Sequence, residues 1–143
     1  MTRPSHAFVP IACFLLAVGL GISLARDATP TARVLLASGQ TVIGQEISYP
    51  KGTATITGAI VTLPPGAETG WHRHDVPLFA DVLEGEITVD YGADGRRTYT
   101  AGDAFLEAYR TDHNGMNAGS EPAKVLAVFA GAEGVRNTVP KAR

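Results

Sequence analysis

The chain has 143 residues, 45% of them hydrophobic and 18% charged, a length that suits one compact domain and is too short for two ordinary ones. Its 12 Lys and Arg stand against 14 Asp and Glu, a net charge of −2, so there is no basic surplus to neutralise a phosphate backbone and nucleic acid is not expected as a partner. The 16 Gly and 9 Pro, in a chain of ordinary apolar content, argue against disorder and coiled coil and for short strands joined by tight turns.

Residues 7–25 form a run without a charge, preceded by one cation, Arg3, which is an export-signal pattern. Ser23 and Ala25 put small side chains where a signal peptidase needs them, so residues 1–25 are expected to be a signal peptide cleaved after Ala25. An uncleaved membrane anchor is the alternative, because a run of this length can just span a hydrocarbon core of about 30 Å. Either way the remainder is expected outside the cytoplasm, periplasmic or secreted. The single cysteine, Cys13, lies in this run, so the mature chain is expected to carry no disulfide and no thiolate ligand.

Residues 26–40 read as a polar linker and an N-terminal strand, and residues 41–143 as one continuous all-β domain. Alternating β-branched and aromatic residues predict strands near 41–49, 53–63, 69–74, 78–83, 86–91, 97–100, 104–108 and 123–130. Pro64, Pro65 and Gly66, then Gly85, Gly92 with Gly95, and Gly102 with Asp103 supply the turns between them. Short strands with such regular punctuation point to a jelly-roll barrel or sandwich. Phe79, Val82, Leu83, Phe105, Leu106, Val128 and Phe129 are the expected core.

With His6 in the signal, three histidines remain: His72, His74 and His113. Residues two apart on a strand project from the same face, so both imidazoles of His72-Arg73-His74 would point one way, and Trp71 and Arg73 the other. That is half a metal site, which His113 could complete from about forty residues further on. Three neutral imidazoles suit a divalent transition ion such as Fe, Mn, Ni, Cu or Zn. A His-x-His pair alone is often incidental; the frame around it carries more weight.

Gly66, His72, His74 and Gly85, followed by Gly102, His113 and Asn117, stand at spacings that resemble the two motifs of the cupin superfamily. The first motif reads Gly, five residues, His-x-His, three or four residues, Glu, six residues, Gly. The second reads Gly, five residues, Pro-x-Gly, two residues, His, three residues, Asn. The resemblance implies a cupin-type jelly-roll β-barrel, His72, His74 and His113 as metal ligands, a small-molecule ligand or substrate, and a homodimer. It breaks at two places. Leu78 occupies the position of the metal-binding Glu, and Ala108-Tyr109-Arg110 replaces Pro-x-Gly.

Without that Glu an ion would keep its full +2 charge, which favours an anionic or oxygen-rich ligand. Asp75 and Asp81 have the wrong strand parity to substitute. Glu107, in an otherwise apolar strand, is open to three readings: a fourth ligand, an acceptor for an imidazole N–H, or an outward-facing charge. Glu107 and Tyr109, four residues before His113, are the candidate catalytic groups. Trp71 reads more readily as packing than as a substrate contact. The function expected is a metal-dependent oxygenase or isomerase of a small molecule; the alternative is a non-catalytic module that binds a metal, a sugar or another small ligand.

Overall fold

The computed structural model describes residues 30–142, so the export segment read at residues 1–25 lies outside the described residues. Among the described residues, nine strands and one 3-10 turn, all in the unit that begins at Arg33, make the regular structure: β1 Ala54–Leu63, β2 His72–Arg73, β3 Leu78–Glu84, β4 Glu86–Asp90, the 3-10 turn Gly92–Asp94, β5 Arg96–Thr100, β6 Ala104–Leu106, β7 Asn114–Met116, β8 Ala123–Ala132 and β9 Val139–Pro140. Among the described residues no helix is long and apolar enough to cross a membrane.

The strands form a four-stranded sheet in the order β1-β8-β3-β6, a three-stranded sheet β5-β4-β7 and a short pair β2-β9. Every pairing within them is antiparallel, and strands from opposite ends of the domain are neighbours, as a jelly-roll wrap requires. Alternation sets what each sheet turns inward. In β3 Leu78, Ala80 and Val82 are buried while Phe79 and Asp81 are half-buried, and in β4 Ile87 and Val89 are buried between half-buried neighbours. Tyr99 of β5 stacks on Phe105 of β6 with centroids 3.8 Å apart and ties the two sheets together.

Val82 and Phe105 of the expected core are buried, but Leu83 is 44% exposed. Leu83 follows the inward Val82 by one position and so falls on the outer face with Phe79 and Asp81, where the register of β3 against β8 also shifts between Val82 and Glu84. The strand predicted at 41–49 is also absent. Thr41 and Gln45 close a tight turn there, with Thr41 N–H donating to the Gln45 carbonyl at 2.8 Å and Gln45 N–H to Thr41 Oγ1 at 3.2 Å. Two short strands that periodicity does not reveal, β7 and β9, take their place in the sheets. Each is too short to show alternation.

Two turns position the site. Gly85 joins β3 to β4 at φ 70°, and a Cβ there would come within 2.7 Å of the Pro122 carbonyl oxygen, so the chain needs glycine for conformation and for space. Asn117 is 1% exposed and joins three segments. Its Nδ2 donates to the carbonyls of Leu63 at 2.9 Å and Glu121 at 2.8 Å, and its Oδ1 accepts the Gly119 N–H at 2.9 Å.

Candidate metal centre

His72 lies on β2, His74 just beyond it, and His113 just before β7. The backbones of His72 and His113 form a hydrogen-bonded antiparallel pair, N–H to O 3.0 Å one way and 2.8 Å the other, so the two side chains stand side by side. His74 is fixed by a parallel bridge to Tyr109, with Arg110 N–H donating to its carbonyl at 2.8 Å. The three ring centroids lie 4.5, 4.9 and 5.0 Å apart, and one nitrogen from each ring falls within 4.8 Å of the others. The structure therefore brings together the three histidines that strand parity and motif spacing single out.

Each ring is also held in one tautomer. His72 Nδ1 lies 2.7 Å from the Gly70 carbonyl oxygen, His74 Nδ1 3.0 Å from that of Asn137, and His113 Nδ1 2.9 Å from that of Thr111. A carbonyl can only accept, so each Nδ1 carries the proton and each Nε2 keeps its lone pair. Backbone carbonyls bound to the far nitrogen are what orient imidazoles that ligate a metal. Burial holds all three below the ordinary histidine range. For His74 the neighbouring His113 and His72 add to the effect and bring it down to about 3. The rings stay neutral at neutral pH, which is the ligating form.

Glu107 turns inward, two residues after Phe105 on the same face, and is 7% exposed. Its Oε2 lies 3.9 Å from His113 Nε2, and its Oε1 accepts the Ala108 N–H at 2.6 Å. Burial pushes its carboxyl up to about 7, while the Ala108 N–H and the Tyr91 hydroxyl favour its ionised form. Tyr91, 1% exposed, also hydrogen-bonds the Tyr99 hydroxyl at 3.2 Å. Of the three readings of Glu107, an outward-facing charge does not hold: it is a buried carboxyl beside His113.

Tyr109 is buried but turns elsewhere. Its hydroxyl is 3.4 Å from Ser48 Oγ, and its N–H is held by Gln45 Oε1 at 2.9 Å. The strand ends at Leu106, so alternation no longer aims the side chains that follow Glu107. Arg110, where the family pattern has Gly, keeps a left-handed backbone at φ 56°. Asp75 pairs with Arg73 at 3.0 Å. Leu78, in place of the carboxylate, is a wall residue of a cavity of about 320 Å³ that opens beside the three histidines. Trp71 lines that cavity, because β2 begins only at His72 and parity does not reach it. Sequence reasoning misses Asn137 and Thr138, whose contacts to His74 come from backbone placement over 60 residues away.

A family described as the cupin domain matches residues 59–129, a span that holds the three histidines and Glu107. The chain carries a cupin domain. Among solved structures, the cupin is similar to the oxalate decarboxylase of Lactobacillus farciminis in its formate complex, at 27% identity and a TM-score of 0.51 over 60% of this chain and 26% of that one. A second oxalate decarboxylase, studied for its substrate binding mode and a switch in reaction specificity, gives 26% identity and a TM-score of 0.50 over 67% and 30%. An oxalate oxidase gives 22% and 0.51 over 59% and 45%, a likeness of fold. The cupin thus spans less than half the length of each of these proteins. No curated protein matches it in sequence.

Proposed function

We propose that this cupin binds one divalent transition metal ion through His72, His74 and His113 and catalyses oxygenation or isomerisation of a small oxygen-rich or anionic molecule. The observation that carries the reading is the set of three Nδ1–H groups anchored on backbone carbonyls, which leaves three Nε2 lone pairs to face one cavity. A divalent ion held there would supply Lewis acidity and a template for substrate oxygens. Fe, Mn, Ni, Cu and Zn all suit imidazole donors.

The chain's own residues supply the remaining functions. Glu107, beside His113, is placed to take a proton from a ligand lodged at the histidines and to hold it with Tyr91 nearby. Leu78 and Phe105 line the same cavity as that carboxyl and give it apolar neighbours. The oxalate-acting proteins that this chain resembles support a small oxygen ligand as the class of substrate. The charge-free run at residues 7–25 supports export to the periplasm or beyond, and twofold pairing is the assembly that the family resemblance favours. Leu78 in place of a carboxylate favours a second reading, a non-catalytic module that holds a metal, a sugar or another small ligand.

Metal analysis of untagged native protein tests the first step, with close to one ion per chain expected and none in His113→Ala. Oxygen uptake and product analysis with small acids, diketones and phenolics test the second. A protein that carries metal and turns nothing over is the binding module.

A further inference from the structure

The cavity beside the histidines is polar at one end only. Thr69, Thr138, Glu107 and the three imidazoles bear its polar groups, and the remaining wall is apolar, chiefly Ile87, Val89, Phe105, Val125 and Phe129 around Leu78. Among the described residues no Lys or Arg lines it. Arg73 is engaged by Asp75, and Arg110 lies over the Tyr109 ring, 4.8 Å from its centroid. This wall follows from alternation. The inward positions of β3, β4 and β8 are filled with aliphatic side chains, and β1 adds Val61 at the open edge.

Two constraints on a ligand result. Oxalate chelates an ion through one oxygen of each carboxylate and points its two outer oxygens into a cavity that already holds one carboxyl group and has no cationic side chain in its lining, so part of the dianion's charge would be buried without a partner. A small polar molecule would also leave most of the wall uncovered. The cavity measures about 320 Å³, room for roughly ten waters at their share of liquid volume, and an apolar body fills it at a gain of about fourfold in affinity per buried methylene.

We infer that the ligand is amphipathic: a chelating oxygen head of at most one negative charge faces His72, His74 and His113, and an aromatic or branched aliphatic body rests against the wall of β3, β4 and β8. This rests on the metal reading above and narrows it. Trp71 and Pro140 line the cavity with exposed side chains, and Lys141, 5.2 Å from the centroid of the Trp71 ring, is paired with Asp112 at 3.3 Å.

Hydroxamates separate head from body, because each is a bidentate monoanion when bound. The full chain is loaded with Co(II), whose visible absorption reports ligation, and titrated with acetohydroxamate, benzohydroxamate and oxalate. Benzohydroxamate is expected to bind at least tenfold tighter than acetohydroxamate, and oxalate more weakly than benzohydroxamate. Val61→Phe and Ala127→Leu, which enlarge one exposed and one buried residue of the lining, should each erase that tenfold gain while cobalt content and acetohydroxamate affinity stay as in the parent. Hydroxamates that bind within threefold of each other in the parent, or oxalate binding tightest, overturn the inference and leave the metal site standing. If no cobalt is taken up, the metal reading falls, and the wall is then scored on the metal-free chain through Trp71, its single tryptophan. Quenching by benzohydroxamate but not acetohydroxamate supports the apolar subsite, and no difference between them overturns it.

Discussion

Glu107 Oε2 lies 3.9 Å from His113 Nε2, a carboxyl two strand positions beyond the buried Phe105 and turned to the same side. A negative group at that distance adds attraction for a cation at the histidines without being one of the clustered donors. Glu107→Gln keeps the shape and removes the charge. Its divalent-ion affinity, measured by competition with a chelator, is expected to fall by about 10- to 100-fold, the range for residues that support ligands. An unchanged affinity would mean that the carboxyl faces the histidines without electrostatic consequence.

His74 depends on the end of the chain. Asn137 supplies the carbonyl that holds its Nδ1, Thr138 Oγ1 lies 3.2 Å from the same nitrogen, and β9 pairs with β2 through His72↔Pro140 and Arg73↔Val139. Removal of residues 137–143 frees the His74 ring and opens the edge beside His72. The expected result is a drop in metal affinity of tenfold or more while far-ultraviolet circular dichroism still reports the β-sheets. Retention of full affinity would show that the three rings need no such support.

Added metal should stabilise the intact site by mass action. At an ion concentration 100 times the dissociation constant the gain is about 2.7 kcal/mol, visible as a rise in Tm. In His74→Ala and in His113→Ala that rise should vanish, because two imidazoles hold an ion far less well than three. An equal rise in these variants would place the ion elsewhere on the protein.

Without metal, the histidines make stability depend on pH. In the folded chain all three titrate below 6.5, His74 at about 3, so as pH falls below about 6.5 the unfolded chain binds protons that the folded chain refuses, and stability is lost toward pH 3. Glu107 acts in the opposite sense. Raised to about 7, it holds a proton in the folded chain that the unfolded chain binds only near 4.5, so it adds stability as pH falls across that interval. The two effects oppose each other down to about pH 4.5, and below it only the loss continues. Urea unfolding of the metal-free protein should show stability still falling between pH 4.5 and pH 3, and His74→Ala should remove that part of the fall. A steep fall already complete at pH 5.5 would contradict the burial of these rings.

Two backbone positions should respond with opposite sign. Gly85→Ala puts a methyl against the Pro122 carbonyl in a left-handed conformation and is expected to cost about 2–4 kcal/mol in denaturant unfolding. Arg110→Gly relieves a left-handed arginine at φ 56° and is expected to gain about 0.5–1 kcal/mol, less what the contact with the Tyr109 ring contributes. A neutral Gly85→Ala would show that the β3–β4 turn yields readily.

Much of the histidine cluster was legible in the chain, partly from alternation and partly from the family resemblance. Period-two alternation puts His72 and His74 on one face, while the resemblance to the cupin motifs implies His113 as their partner and marks Leu78 as the position of a missing carboxylate. Val82 and Phe105 of the expected core follow from the same alternation, whereas Phe79 and Leu106, one position off, are half-buried. Leu83 was expected in the core against that alternation, one position after Val82, and it falls on the outer face. β7 and β9, three and two residues long, are strands only because a neighbour pairs with them.

The direction of Glu107 was open to one-dimensional reasoning. It became a buried neighbour of His113 once β6 paired with β3 and the sheets closed over it. The tautomers have the same origin, since Gly70 and Thr111 lie two residues from their rings but Asn137 reaches His74 across 63 positions. Trp71 in the cavity lining and Tyr109 turned toward Ser48 are likewise products of where strands stop. Alternation along a strand is a property of successive residues, so a list of amino acids carries it. Bulges, strand ends and contacts between distant segments arise from competition for space and hydrogen bonds among parts that meet only when the chain has folded.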